Sequence, residues 1–297
     1  MIKNLFIALF CLVLPMHLQA AEVVSVVTTT SDLAAITKAV GGERVKVESI
    51  AKGFQDPHYV EAKPSYMKMV NQARVLFSVG LQLEIGWLPL LVQGARNPKL
   101  IQVDVSQGIS VLERPTGPIS RAQGDVHPEG NPHYWLDPRN GLIMARRIAQ
   151  ELASIAPAES VTFEQNLKSF QSDLEQRTKI WEQRMARYRG TEVVAYHKQW
   201  EYLAQWLGLS IVEYVEDKPG IPPAPQHLAN LIRAMQQKKV KALLVANFTG
   251  PSIPQSVANK AGARMVVLPA SVGGEKGVDS YAALFDATTG KLADGLN

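Results

Sequence analysis

The feature that most constrains this chain is an alternation of short β-branched runs with helix-patterned stretches. It occurs twice, on either side of one long helical segment. Strands are expected over residues 23–28, 45–50, 75–79 and 100–105, then again over 192–196, 210–215, 242–246 and 266–268. Helices are expected from Ser31, read as an N-cap, through Val40, from Pro64, over 139–155, 199–207 and 226–237, and from Val278 onward. Such alternation implies parallel sheets covered by helices on both faces. The fold expected is therefore α/β, with two lobes, each a mostly parallel sheet flanked by helices.

The interruption has its own logic. Residues 162–189 carry Phe163, Leu167, Phe170, Leu174, Ile180, Trp181 and Met185 on one apolar side, and Gly190 stops the run. At about 1.5 Å per residue this helix spans roughly 40 Å. Its stripe does not hold heptad register, so it reads as a rigid helix packed along both lobes and not as a coiled-coil arm. The organisation expected is a leader over 1–20, an N-terminal lobe over 21–161, the linking helix over 162–189 and a C-terminal lobe over 190–297. Residues 115–132, rich in proline, glycine and polar residues, read as a long surface loop.

The first residues set the compartment. Lys3 precedes an apolar run from Leu5 to Leu14, and His17-Leu-Gln-Ala20 follows, the layout of a secretory signal cleaved after Ala20. The only cysteine, Cys11, lies in this segment behind bulky Phe10, unlike the small residues of a lipoprotein signal, so no lipid anchor is expected. The mature chain then has no thiolate ligand, thiol nucleophile or disulfide, and a soluble periplasmic protein is expected. The formal charge of +4 is scattered among acids with no basic stripe, which gives no support for a nucleic-acid partner.

Function rests on histidine. His58 lies in Gln55-Asp-Pro-His-Tyr59, His133 in Asn131-Pro-His-Tyr-Trp135 and His197 in Ala195-Tyr-His-Lys198. Neutral imidazole is a common metal ligand, and proline stiffens the chain just before two of the three. His197 ends a strand and His58 follows one, the end of a parallel sheet at which ligands bind. His127, six residues before His133, reads first as a solvated loop residue and otherwise as a weak or transient donor, whereas His227 reads as a surface or capping residue and His17 leaves with the leader. Singly, each histidine also has an ordinary structural reading as a loop or strand-end residue.

Three segments together resemble one family: Asp56-Pro-His-Tyr-Val-Glu-Ala-Lys-Pro64, Asn131-Pro-His-Tyr-Trp-Leu-Asp-Pro138 and His197-Lys-Gln-Trp-Glu-Tyr-Leu-Ala204. They are similar to signature stretches of the solute-binding proteins of metal-ion ABC transporters, the zinc- and manganese-binding cluster. The resemblance extends over nearly the whole mature chain, in strand order and in the long helix. It implies two lobes joined by one rigid helix, a metal in the cleft between them, His58 and His133 as ligands from the N-terminal lobe and His197 from the C-terminal lobe. It also implies a membrane permease of an ABC transporter as partner, and a monomer without enzymatic activity.

One departure matters. Where the family often carries an acidic fourth ligand this chain has Ala270, and where a glutamate is common it has Asn247. The fourth position is left to water, to His127, or to Asp279 folding in, although Asp279 reads more readily as a helix N-terminal residue that favours the dipole. Three nitrogens without a committed carboxylate favour Zn²⁺ over Mn²⁺, which prefers harder oxygen donors. Asp137 and Glu61 are candidate partners for the outer ring nitrogens and read equally well as a helix cap or surface residue. The alternatives are a zinc-dependent hydrolase with an open water position, which lacks a His-Glu-x-x-His cluster here, and an interaction protein in which the histidines are incidental.

Overall fold

The computed structural model describes residues 23–118, 120 and 123–297; the expected leader lies outside them. The first sheet is built from β1 (Val24–Thr28), β2 (Val45–Ser49), β3 (Val75–Ser78) and β4 (Ile101–Asp104), in the order β2-β1-β3-β4. The second is built from β5 (Glu192–Ala195), β6 (Ser210–Tyr214), β7 (Ala242–Ala246) and β8 (Arg264–Leu268), in the order β6-β5-β7-β8. Every pairing is parallel, with Val24 opposite Val45, Val26 opposite Val75 and Val245 opposite Val267. The two sheets therefore share one topology, and both send their carboxyl ends toward the same cleft. The α/β architecture expected from the alternation is the one observed.

Helices cover the sheets: α1 (Ser31–Gly41), α2 (Pro64–Gln72), α3 (Leu88–Ala95), α4 (Pro138–Ile155), α5 (Ser160–Met185), α6 (Glu201–Leu207), α7 (Pro225–Lys238), α8 (Ser252–Ala261) and α9 (Tyr281–Leu296). Two of these, α3 and α8, are not legible in the sequence pattern. The first carries a nearly continuous apolar run broken by Pro89 and Gly94, and the second has Pro254 in its opening turn, so neither displays a clean helical period. The N-cap of α1 is Thr30 and not Ser31: the Thr30 side chain accepts from Leu33 N, while Ser31 Oγ donates to Val272 O at 2.6 Å.

The long helix α5 packs against α1 and α4 of the N-terminal lobe and α9 of the C-terminal lobe. Phe163, Leu174, Trp181 and Met185 are buried along it, but Ile180 is 55% exposed, turned away from the stripe to which its spacing assigned it. Trp181 anchors the far end, donating from Nε1 to Asp286 Oδ1 of α9 at 2.7 Å. One apolar cluster runs from Val26 and Phe77 in the first sheet through Trp135, Trp181 and Phe285 to Val193 and Leu244 in the second. A dense, continuous core of this kind resists independent motion of its two ends.

Hydrogen bonds finish the seam. Val272 N donates to Asp32 Oδ1 at 2.9 Å, Trp135 Nε1 to Ala270 O at 2.9 Å and Tyr281 OH to Trp135 O at 2.6 Å. Burial pushes the Asp32 carboxyl up to about 7 despite the bonds it accepts from Val272 and Ser271.

Candidate metal centre

Each of the three histidines is set by a different stretch, yet two are built alike. Asp56 Oδ1 accepts the backbone N–H of His58 at 3.0 Å and its ring Nδ1–H at 2.7 Å. Asn131 Oδ1 does the same for His133, at 3.0 Å and 2.9 Å. The repeated Asx-Pro-His sequence is therefore a local device: a short side chain two residues upstream fixes both the backbone and the ring, and proline between them removes a competing conformer. Trp87 Nε1 donates to Pro57 O at 2.9 Å and so holds the His58 turn against the N-terminal lobe.

His197 lies directly beyond β5 and takes its orientation from a distant residue. Glu216 Oε2, past the end of β6, accepts from its Nδ1 at 2.8 Å. Asn131 is itself fixed from behind. Its Nδ2 donates to Glu113 Oε2 at 3.0 Å and Glu201 Oε2 at 2.9 Å, which leaves Oδ1 to face His133. Lys198 pairs with Glu113 at 2.7 Å and Tyr214 OH donates to Glu201 Oε1 at 2.8 Å, so these carboxylates are partnered.

With Nδ1 engaged in all three rings, Nε2 is the nitrogen left for a ligand. The structure brings His58, His133 and His197 together, with one ligand atom from each within 4.8 Å of the others. Ring centroids lie 5.1 Å apart for His58–His133, 5.7 Å for His58–His197 and 5.9 Å for His133–His197. His127 lies beside the group, on the strap of chain between β4 and Tyr134, its ring 5.3 Å from His58. The Nε2 atoms of His58 and His127 are buried with no hydrogen-bond partner. Bare buried nitrogens are costly, and a cation between them would satisfy both. The residues fit a divalent metal.

The electrostatics favour the ligand form of most of the set. Burial, then the neighbouring His58, His197 and His127, hold His133 well below the usual imidazole range. Burial and His58 lower His127 to about 4. At His197 burial pushes down, but the Glu216 hydrogen bond and charge outweigh it and the ring ends above its usual value. Asp56 is pushed up by burial and down by His58, and ends below the ordinary carboxylate range.

Several expected roles fall elsewhere. Asp137 is the N-cap of α4, bonded to Arg139, and Glu61 stands exposed beside Lys63, so neither orients a histidine. That work is done by Asp56, Asn131 and Glu216. Asp279 is exposed just ahead of the α9 N-cap, Ser280, where its charge favours the helix dipole. His227 bonds from Nε2 to Tyr214 O at 2.9 Å. Asn247 bridges the lobes: Nδ2 donates to Gly53 O at 3.1 Å and Gly274 O at 3.0 Å, and Oδ1 accepts from Ala270 N at 2.9 Å. Neither it nor Ala270 offers the metal an oxygen.

Two cavities flank the centre. One of about 430 Å³ is lined by His58, Gln82, Asp125 and His127, and one of about 510 Å³ by Asp56, Asp125, His197 and Glu216. Their acidic rims suit a cation.

The chain matches the family described as ZnuA, zinc-uptake complex component A, periplasmic, over residues 26–295. It is 27% identical over 290 residues to the manganese ABC transporter substrate-binding lipoprotein PsaA of Streptococcus pneumoniae, covering 94% of this chain and 90% of that protein. It is 27% identical over 286 residues to the iron ABC transporter substrate-binding lipoprotein MtsA of Streptococcus pyogenes serotype M1, covering 93% and 90%. A crystal structure of ZnuA superposes with a TM-score of 0.80 at 23% identity, covering 93% of this chain and 100% of the other. Among the described residues no helix is long and apolar enough to cross a membrane.

Proposed function

This chain belongs to the family of the zinc-uptake complex component A, metal-binding substrate-binding proteins of ABC transporters, and from that premise we propose that it captures Zn²⁺ and delivers it to a membrane permease. The ion is held by His58, His133 and His197 through Nε2, and His127 supplies the fourth donor in place of the missing acid. The observation that carries this reading is the convergence of three imidazoles whose outer nitrogens are already bound to Asp56, Asn131 and Glu216. A bound metal fixes its histidines in this way.

The donor set favours zinc. Relatives are named for manganese and for iron, but both of those metals stand below zinc in affinity for nitrogen sites, and manganese prefers oxygen. The two carboxylates closest to the rings are occupied at Nδ1, and Asn247 and Ala270 bring none. The hydrolase alternative draws no support from a family of transport proteins.

The same proposal has the N-terminal lobe, α5 and the C-terminal lobe acting as a monomer exported to the periplasm. The relatives named above are called lipoproteins; Cys11 and the expected leader lie outside the described residues. Binding is capture without chemical change.

Titration of the metal-free protein with Zn²⁺ and Mn²⁺ in competition tests the reading. One zinc per chain, taken in preference to manganese and lost in His58→Ala, His133→Ala and His197→Ala, supports it. Preference for manganese, or zinc binding indifferent to all three substitutions, would sink it.

A further inference from the structure

The strap that carries His127 crosses in front of the centre, and its crown is tied to both lobes at Asp125. The Tyr59 hydroxyl, adjacent in sequence to His58, donates to Asp125 Oδ2. The Asp125 backbone N–H donates to Pro219 O at 2.8 Å, on the C-terminal side of the cleft. Glycine is required on both sides of this contact. Gly124 has φ 82°, and a Cβ there would lie 2.1 Å from Pro219 O; Gly220 has φ 73°, and a Cβ there would lie 2.1 Å from Asp125 Oδ2. Any other residue at either position would be strained and would push the strands of the latch apart.

The contact continues to the metal ligands. Gly220 N–H donates at 2.8 Å to Glu216 Oε2, the same atom that accepts from His197 Nδ1 at 2.8 Å. His58, Tyr59, Asp125, Gly220, Glu216 and His197 thus form a ring, and an ion bound by His58 and His197 closes it from the inside.

We propose that Tyr59 fixes Asp125 against Pro219 of the C-terminal lobe, and that this latch sets how fast the bound ion leaves, an inference that rests on the zinc reading above. The latch and the ion hold the same two histidines, so each strengthens the other by the same factor. With the latch made, the flanking cavities still leave the approach to the histidines open. Loss of the latch therefore falls on dissociation, where most changes of affinity among variants of one site appear.

Tyr59 is 64% exposed, so Tyr59→Phe removes the hydroxyl without opening the core. The protein and this variant, each carrying one Zn²⁺, are mixed with excess chromogenic chelator at several concentrations, and zinc release is extrapolated to zero chelator. A hydrogen bond to a charged acceptor at an exposed site predicts release about fivefold faster, with association changed by less than about twofold. Gly220→Ala, which displaces Asp125 from the other side, moves release in the same direction. Release at the unaltered rate in both variants, or a change confined to association, overturns the latch. Failure of the unaltered protein to take zinc would instead remove the reading beneath it.

Discussion

Asp56 holds His58 twice, accepting its backbone N–H at 3.0 Å and its ring Nδ1–H at 2.7 Å, and Asn131 holds His133 in the same way without a charge. The pair separates the orienting part of the role from the electrostatic part. Asp56→Asn copies the Asn131 arrangement, so zinc affinity falls only about tenfold. Asp56→Ala loses both bonds and affinity falls about 100-fold, the two ends of the range for partners of metal-bound histidine. Chelator competition measures both. Equal losses in the two variants would show that charge alone matters.

That device was half visible in the sequence. The Pro-His repeats marked His58 and His133, and the upstream Asx residues stood in the same motifs, but only the fold reveals that their side chains turn back onto the rings. Glu216 is a different case: it lies 19 residues from His197 and reaches it because β5 and β6 are neighbours, a pairing no local pattern encodes. The sheets and α5 were legible because long periodic segments bury one face. The helices α3 and α8 were not, because proline and an unbroken apolar run obscure their period. Asn247 looked like a missing ligand, and the structure gives it a positive role as a bridge between lobes.

Protons compete with zinc most strongly at His197, whose ring is held above the usual imidazole range by Glu216 against the opposing effect of burial. Raised basicity means the metal-free ring takes up its proton at higher pH than an ordinary histidine. Affinity therefore falls as pH drops through and below that raised value. Glu216→Gln removes the raising influence, so its affinity is weaker at neutral pH but begins to fall only at lower pH. Zinc titrations across pH 5 to 8, the range in which imidazole titrates, check the order. An acid limb unchanged by Glu216→Gln would count against it.

Asn247→Asp puts an acid back into the cleft but is expected to harm the fold. A carboxylate there faces Gly53 O and Gly274 O without a proton to give either. Leaving those acceptors unpaired costs about 1–3 kcal/mol, a fall in Tm of roughly 2–10 °C. Calorimetry of the metal-free protein reads the loss, and the preference for zinc over manganese stays as it was. A variant as stable as the parent would mean the bridge contributes nothing.

The continuous core through Trp135, Trp181 and Phe285 and the seam at Asp32–Val272 oppose wide hinge closure. Small-angle scattering should give radii of gyration for metal-free and zinc-loaded protein that agree within about 1 Å, as expected of a pre-organised binder. A contraction of several ångströms on loading would overturn the rigid description.

X-ray absorption at the zinc edge of the stoichiometric complex bears most directly on the claim that three histidines hold the ion. The expected spectrum has a nitrogen shell at about 2.0–2.1 Å with multiple scattering from at least three imidazoles. A shell dominated by carboxylate oxygen, or fewer than three imidazoles in the unaltered protein, would contradict it.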